Sequence, residues 1–250
     1  GTDSSGNGND FTVNGTMTTT KDTPNNNFCT LTPLYKKVGV TYNFSNGNTV
    51  LDTSGGSGWH QAMGTLAAGA GKWYYEAYAN YSPGANNTML GWGSSDYLAL
   101  SKAAGEIGES VSKPSFGLYD VGALKYSTDS SNGQQTTSWA AAWVSGDYLM
   151  FAVDLDSGRF YVGKNGTWDT TSSSNPSAGT GGYSFTVGDF LYTPMMSIYY
   201  EDVILNFGNG YFGTTSAGAT NADGDGYGVF KYTVPTGFKA LCTDQLATYG

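Results

Sequence analysis

From Phe28 onward the chain repeats one pattern, in which a few apolar residues alternate with polar ones and then give way to a cluster of Gly, Asn, Asp or Ser. A period of two places every second side chain on one face of an extended segment, and the clusters supply tight reversals. The pattern therefore predicts many short antiparallel strands. The clearest hairpin spans residues 147–168, where Leu149, Phe151, Val153 and Leu155 fall on one face and Asp156-Ser157-Gly158 reverses the chain. A second reversal comes at Lys164-Asn165-Gly166, whose Asn-Gly pair tolerates the positive φ angles of a type I′ turn. Further strands are expected at 72–81, 87–93, 114–119, 195–200 and 203–207. Residues 98–104 and 139–143 each have room for a turn or two of helix, but both are shorter than the ~10–12 residues at which periodicity identifies one. No repeat of ~20–50 residues recurs, which excludes solenoids and propellers.

Residues 1–27 differ from the rest of the chain. Phe11, Val13 and Met17 are nearly their only apolar side chains, so this stretch cannot bury much area and reads as a linker or extended arm ahead of a body at 28–250. A body of that length suits one all-β sandwich. The 37 Gly and 7 Pro together stay below the ~25–30% that marks low complexity, so the chain is expected to fold. Aromatic residues make up 15% of the chain, and flat amphipathic rings favour half-buried pleated surfaces.

Charge narrows the partners. Eleven basic residues, with Arg159 the sole arginine, stand against twenty acidic ones, giving a net charge of −9. Nucleic acid is excluded as a partner, because phosphate binding needs clustered Lys and Arg. No apolar run is long enough to span a bilayer. The chain opens at Gly1 with neither an initiator Met nor a basic-then-apolar leader, as expected of a processed chain or a piece of a longer one.

Candidate chemistry is sparse. Glycosidases need two carboxylates facing the sugar at a fixed separation, yet the four glutamates Glu76, Glu106, Glu109 and Glu201 show no spacing that sets several on one sheet face. Asp154 and Asp156 share a face, and Asp156, at the start of a turn, is expected to bind backbone amides. His60 is the single imidazole, so any triad would have to use it and a multi-histidine zinc site is impossible; beside Gly58 and Trp59 it reads as a structural or surface residue on a loop or strand edge. Cys29 and Cys242 read either as two small buried hydrophobes or as a staple joining the termini. Asn221, Asp223 and Asp225 match the first half of a calcium loop, but Tyr232 stands where the second half requires a bidentate acid, so a Gly-rich turn is the expectation. No cofactor is expected. Tyr119, Tyr126, Trp139 and Trp168 lie beside expected loops, where rings stack on sugars or pack against protein; they are the binding candidates, with core packing the competing role.

Several blocks in order resemble a SPRY domain, the two-sheet jelly roll related in shape to concanavalin A-like lectin sandwiches. Gly71-Lys72-Trp73-Tyr74-Tyr75-Glu76 resembles an early strand of that family, and Leu90-Gly91-Trp92-Gly93 the small-residue strand after it. The segment from Gly146-Asp147 to Lys164-Asn165-Gly166 resembles its long hairpin, and Val203-Ile204-Leu205-Asn206-Phe207-Gly208 its closing strand. Asp22-Thr23-Pro24-Asn25-Asn26-Asn27-Phe28-Cys29-Thr30-Leu31, Thr41-Tyr42-Asn43-Phe44-Ser45-Asn46-Gly47-Asn48 and Pro235-Thr236-Gly237-Phe238-Lys239-Ala240-Leu241-Cys242-Thr243 are similar to the flanks of SPRY-like domains in bacteriophage tail-fibre and other virion proteins. Asp3-Ser4-Ser5-Gly6-Asn7-Gly8-Asn9-Asp10-Phe11 resembles a segment found after a laminin-G-like domain in long phage fibres, which implies an upstream domain. The likeness runs from Asp22 to Thr243; residues 102–114 and 127–137 have no counterpart in it.

What the resemblance implies is a non-enzymatic virion component, a tail fibre or capsid-surface appendage, exposed on the particle and binding host-surface glycan or protein, other virion subunits, or both. By analogy with fibres it implies a homo-oligomer, a trimer. Two alternatives stay open: a lectin-like enzyme that cleaves polysaccharide, and a peptide-binding SPRY adaptor.

Overall fold

The computed structural model of the chain describes residues 3–15, 19–35, 41–53, 58–80, 88–96, 105–109, 113–128, 135–199 and 201–250. In chain order the strands are β1 (Asn43–Ser45), β2 (Val50–Asp52), β3 (His60–Met63), β4 (Lys72–Asn80), β5 (Thr88–Ser94), β6 (Ser115–Tyr119), β7 (Ala123–Ser127), β8 (Gln135–Ser138) and β9 (Tyr148–Asp154). They continue as β10 (Arg159–Lys164), β11 (Thr167–Trp168), β12 (Tyr183–Ser184), β13 (Tyr192–Ile198), β14 (Asp202–Asn206), β15 (Tyr211–Phe212), β16 (Thr215–Ser216) and β17 (Lys239–Ala240), and the chain closes with helix α1 (Thr243–Tyr249). Among the described residues no helix is long and apolar enough to cross a membrane.

Two antiparallel sheets form a sandwich. The first runs β1-β2-β14-β4-β9-β10-β11, with β12 also on β10 and β17 parallel to β4; the second runs β3-β13-β5-β6-β7-β8. Between them lies an aromatic core in which Tyr75 stacks on Phe151 at 5.0 Å and tilts against Phe207 at 5.5 Å and Trp92 at 5.6 Å. The Tyr75 hydroxyl donates to the Gly91 carbonyl at 3.0 Å across the two sheets, so the ring buries its apolar body without orphaning its polar tip. Gly91 itself explains the small residues of β5: a Cβ there would stand 2.0 Å from the Phe116 carbonyl oxygen.

The expected strands are present, with bounds shifted by a few residues at β13. The long hairpin has the expected reversals, with Gly158 at φ 66°, Asn165 at φ 51° and Gly166 at φ 86°. One detail of it differs. Asp154, rather than Asp156, holds the first reversal by accepting the Asp156 and Ser157 amides at 3.0 Å, while Asp156 reaches back to the Gly71 amide at 2.8 Å. Nor does β9 present a wet face, since Met150, Ala152 and Asp154 are buried along with Leu149, Phe151 and Val153. Rings from the segment after β14 cover that outer face: Phe230 meets Tyr74 at 5.0 Å and Phe238 meets Tyr161 at 6.1 Å.

Residues 139–143 form no helical turn. Trp139 and Ala140 both donate backbone N–H to the Gly122 carbonyl at 3.0 Å and Trp143 donates to Asp120 at 3.0 Å, bonds to a neighbouring turn that displace the local i→i+4 ladder. Residues 98–104 lie outside the described residues. Residues 3–15 carry no strand or helix, and their hydrogen bonds are local, as where Asp3 accepts the Ser5 amide at 2.8 Å. From Asp22 the chain is tied down, its carboxylate accepting the Phe28 amide at 2.9 Å.

Candidate functional site

Three buried polar side chains pin the Gly-rich insertion between β14 and β17. Asn206, the last residue of β14, accepts the Gly208 and Gly210 amides at 3.0 and 3.2 Å and donates to the Val229 carbonyl at 3.0 Å. Glu76 of β4 accepts the Lys231 and Tyr232 amides at 2.9 and 2.8 Å, the Tyr74 hydroxyl at 2.9 Å and the Asn206 amide at 3.2 Å. Burial pushes its carboxyl up to about 7, against the pull of those four donors. Asp223 accepts the Asp225 and Tyr227 amides at 2.9 Å with one oxygen, and with the other the Ala240 amide at 3.0 Å and the Gln245 side chain at 2.8 Å. Where the insertion leaves and rejoins the sheet, its two backbones nearly touch: a Cβ on Gly208, at φ 118°, would lie 3.2 Å from the Gly228 Cα and 2.6 Å from the Phe28 ring. Only glycine fits that crossing.

The pinned insertion forms one wall of a groove of about 740 Å³, and residues 19–28 form the other. That second wall is anchored as well. Asn26 accepts the Asp244 amide at 3.2 Å and the Thr243 hydroxyl at 3.3 Å, while the Asn27 amide donates to the Thr243 hydroxyl at 3.0 Å. The size falls within the ~300–1,000 Å³ typical of small-molecule sites. Lys21 and Asp244 are the charged residues among its described lining, which otherwise mixes hydroxyls and amides with the rings of Phe28, Tyr211 and Tyr227 and the side chain of Val229. Asn209, 8% exposed, lines it too, and its buried Oδ1 accepts no hydrogen bond.

The aromatic candidates sit elsewhere. Trp168 borders a smaller apolar cleft of about 170 Å³ floored by Leu118, Leu149 and Val162, room for one side chain rather than an extended ligand. Tyr126, within β7, and Trp139 converge on Tyr183 at 5.2 and 6.5 Å, and Trp139 also stacks on Phe160 at 5.6 Å. Tyr119 lies on the far face of the second sheet, 6.2 Å from Trp59 and beneath the Lys125 ammonium at 5.5 Å. The structure thus brings Tyr126 and Trp139 together and leaves Tyr119 and Trp168 apart from them and from the groove.

The remaining candidates have structural duties. Asn221 donates to the Phe230 and Lys231 carbonyls at 3.4 and 3.0 Å, and Asp225 pairs with the Lys239 ammonium at 2.6 Å and the Tyr249 hydroxyl at 3.0 Å. With both Asp223 oxygens and the Asp225 Oδ2 given to protein donors and Asn221 acting as a donor, the half calcium loop serves as a structural turn, and among the described residues no group of three or more His, Cys, Asp or Glu could hold a metal. His60 begins the edge strand β3, fully buried with its ring edge-on to Tyr42 at 5.1 Å. Cys29 and Cys242 are free and buried.

No family model and no curated protein matches this sequence. Among solved structures, 244 chains match. One is the SPRY domain of human HERC1, 17% identical, aligned over 70% of this chain and 96% of that one with a TM-score of 0.50. The fold is SPRY-like. The groove is built from two parts that flank the strands of this SPRY-like sandwich, the segment leading into it and the insertion after β14. The sequence suggested a Gly-rich turn around Asp223 but not the groove; the readable signal was the density of Gly, Asn, Asp and Tyr across 209–228.

Proposed function

We propose that the chain is a non-enzymatic component of a bacteriophage virion, a tail-fibre or capsid-surface appendage, that binds the host surface or neighbouring virion subunits through the groove beside its sandwich. The observation that carries this reading is the pairing of the two most distinctive phage-like blocks. Phe28 bridges Cys242, and the Cys29 amide donates to the Leu241 carbonyl at 2.9 Å. These blocks are not independent decorations of a generic sandwich; together they set the position of the groove wall.

Support for binding rather than catalysis comes from where the carboxyls lie. Glu76 is sealed under the insertion with four donors, Glu201 is buried, and Glu109 accepts the Gly105 and Glu106 amides at 2.5 and 3.1 Å. None forms a facing pair across the groove, as polysaccharide hydrolysis would require. A rigid scaffold carrying a fixed, weakly charged groove suits reversible contact with a polar surface.

Immunogold labelling of intact particles with antibody to this chain tests the proposal. Decoration of the tail or head surface is expected; particles free of label, with the chain found only in infected cells, would overturn it.

A further inference from the structure

We propose that the groove between residues 19–28 and the Asn209–Gly228 insertion is a binding site for an uncharged oligosaccharide. This rests on the surface-binding reading above and deepens it.

Four observations point to that ligand class. First, the groove carries one positive and one negative side chain, Lys21 and Asp244. A phosphate or a strongly acidic ligand needs convergent cations, and this site, on a chain of net charge −9, has none. Second, its polar groups are of the kind that match sugar hydroxyls. The Thr23 and Ser216 hydroxyls accept the Asn26 and Gly218 amides at 3.0 and 3.3 Å, which leaves each O–H to donate outward, and Thr19, Thr20 and Thr220 add further hydroxyls.

Third, Asn209 lines the groove with its amide oxygen unsatisfied, so a small turn of the side chain toward a ligand hydroxyl would recover a missing bond. Its side chain is held in a residue 92% buried, and Oδ1 lies out of water without a hydrogen bond, a state that costs free energy until a ligand supplies one. Fourth, Tyr211 and Tyr227 contribute rings beside these polar groups, flat surfaces on which the C–H face of a pyranose can pack. Tyr227 is fixed by its hydroxyl bond to Asp244 at 3.3 Å and by its amide bond to Asp223 at 2.9 Å.

A peptide fits the same space less well. Peptide recognition relies on an apolar anchor pocket or an open strand edge, whereas the described lining here intersperses Phe28, Val229 and the two tyrosines among hydroxyls, amides and glycines, a mixture closer to a sugar's own C–H faces and hydroxyls. Preorganisation favours a weak polar ligand too, because Asn206, Glu76 and Asp223 have already ordered the insertion and binding need not pay that entropy.

The test is titration of the full 250-residue chain with a panel of uncharged gluco-, galacto-, manno- and N-acetylglucosamine oligosaccharides, with sulfated counterparts as the charged arm, read by saturation-transfer NMR and calorimetry. At least one uncharged sugar is expected to bind, the sulfated form more weakly. Asn209→Ala should weaken it about tenfold, the scale of one lost hydrogen bond. Thr220→Trp, a substitution at an exposed position that fills the groove, should abolish it without lowering thermal stability. No binding by about 10 mM of any uncharged sugar, or binding that Thr220→Trp leaves unchanged, overturns the inference. Particle labelling separates the two readings: a chain that decorates virions yet ignores sugars refutes only the saccharide site, and one absent from virions refutes only the virion role.

Discussion

The carboxylate of Glu76, in the middle of a central strand, accepts the backbone N–H of Tyr232 at 2.8 Å across 156 residues of chain. It accepts that of Lys231 at 2.9 Å with its other oxygen. A buried charge-bearing group thus does for the insertion what a strand ladder does for a sheet: it satisfies consecutive amides that would otherwise be orphaned. Glu76→Ala removes the acceptor for both amides and for Tyr74 and Asn206, and is expected to cost at least about 3 kcal/mol in urea unfolding. Amide exchange at Lys231 and Tyr232 should accelerate well before global unfolding. If those amides stay as protected as in the wild type, the insertion is ordered by something other than Glu76.

The end of the sandwich at the β13–β14 connection should make stability pH-dependent. Glu201 is 2% exposed and neither carboxyl oxygen has a hydrogen bond; burial first, then the charges of Asp120 and Asp202, push it up to about 8. Asp202, cross-strand partner of Asp52, is pushed up to about 6 by burial and by that neighbour. A carboxyl with a raised folded value is protonated in the folded chain and ionised in the unfolded one between the two values, so unfolding releases a proton there. Stability is then greatest below the ordinary carboxylate range and falls as pH rises, through about 6 for Asp202 and about 8 for Glu201. Glu76 acts in the same direction up to about 7. The urea midpoint should drop from about pH 5 to about pH 8.5, and Glu201→Gln should flatten the part above about pH 7. An identical slope in that variant would assign the dependence elsewhere.

The hairpins and the sheet class were legible because they are local: Asn165-Gly166 states its turn in two residues, and the apolar alternation of β9 states its inward face. What covers the outward face was not, because Met150 and Ala152 are ordinary strand residues, and the rings that cover the neighbouring Tyr74 and Tyr161 on that face, Phe230 and Phe238, come from a distant part of the chain. The same reason hid the groove. Asn209, Tyr227 and Thr19 are unremarkable in sequence; the bridge of Asn209 to Val229 brings the first two together, and the pairing of Phe28 with Cys242 anchors the wall that carries Thr19. Helix α1, seven residues long, is too short for periodicity to reveal and is held by Gln245 on Asp223.

The Asn165-Gly166 turn should resist substitution unequally. Gly166 has φ 86°, and a Cβ there would meet the Tyr232 ring at 3.0 Å. Gly166→Ala is expected to cost about 1–2 kcal/mol from the left-handed backbone, with the ring contact adding to it. Asn165 also accepts the Tyr148 amide at 2.9 Å and donates to Asp147 at 2.7 Å, so Asn165→Gly should relieve φ yet still destabilise by about 1 kcal/mol. Guanidinium unfolding of the two variants decides this; a neutral Gly166→Ala would mean the turn is not of the type described.

The cysteines should remain two thiols under oxidising conditions, and the reason is register. In the antiparallel bridge Phe28 stands opposite Cys242, and the Cys29 amide donates to the Leu241 carbonyl opposite it at 2.9 Å. Successive residues of an extended pair point to opposite faces, so Cys29 and Cys242 are on opposite sides of the two strands, and a disulfide would need one segment to slip by a residue. Burial pushes the Cys29 thiol up to about 11 and raises that of Cys242 as well, which starves both of the reactive thiolate. Alkylation of the folded chain should be slow at both sites, and alkylation in urea without reductant should label both fully. Labelling in urea that appears only after reduction would show that the termini are stapled and the register is wrong.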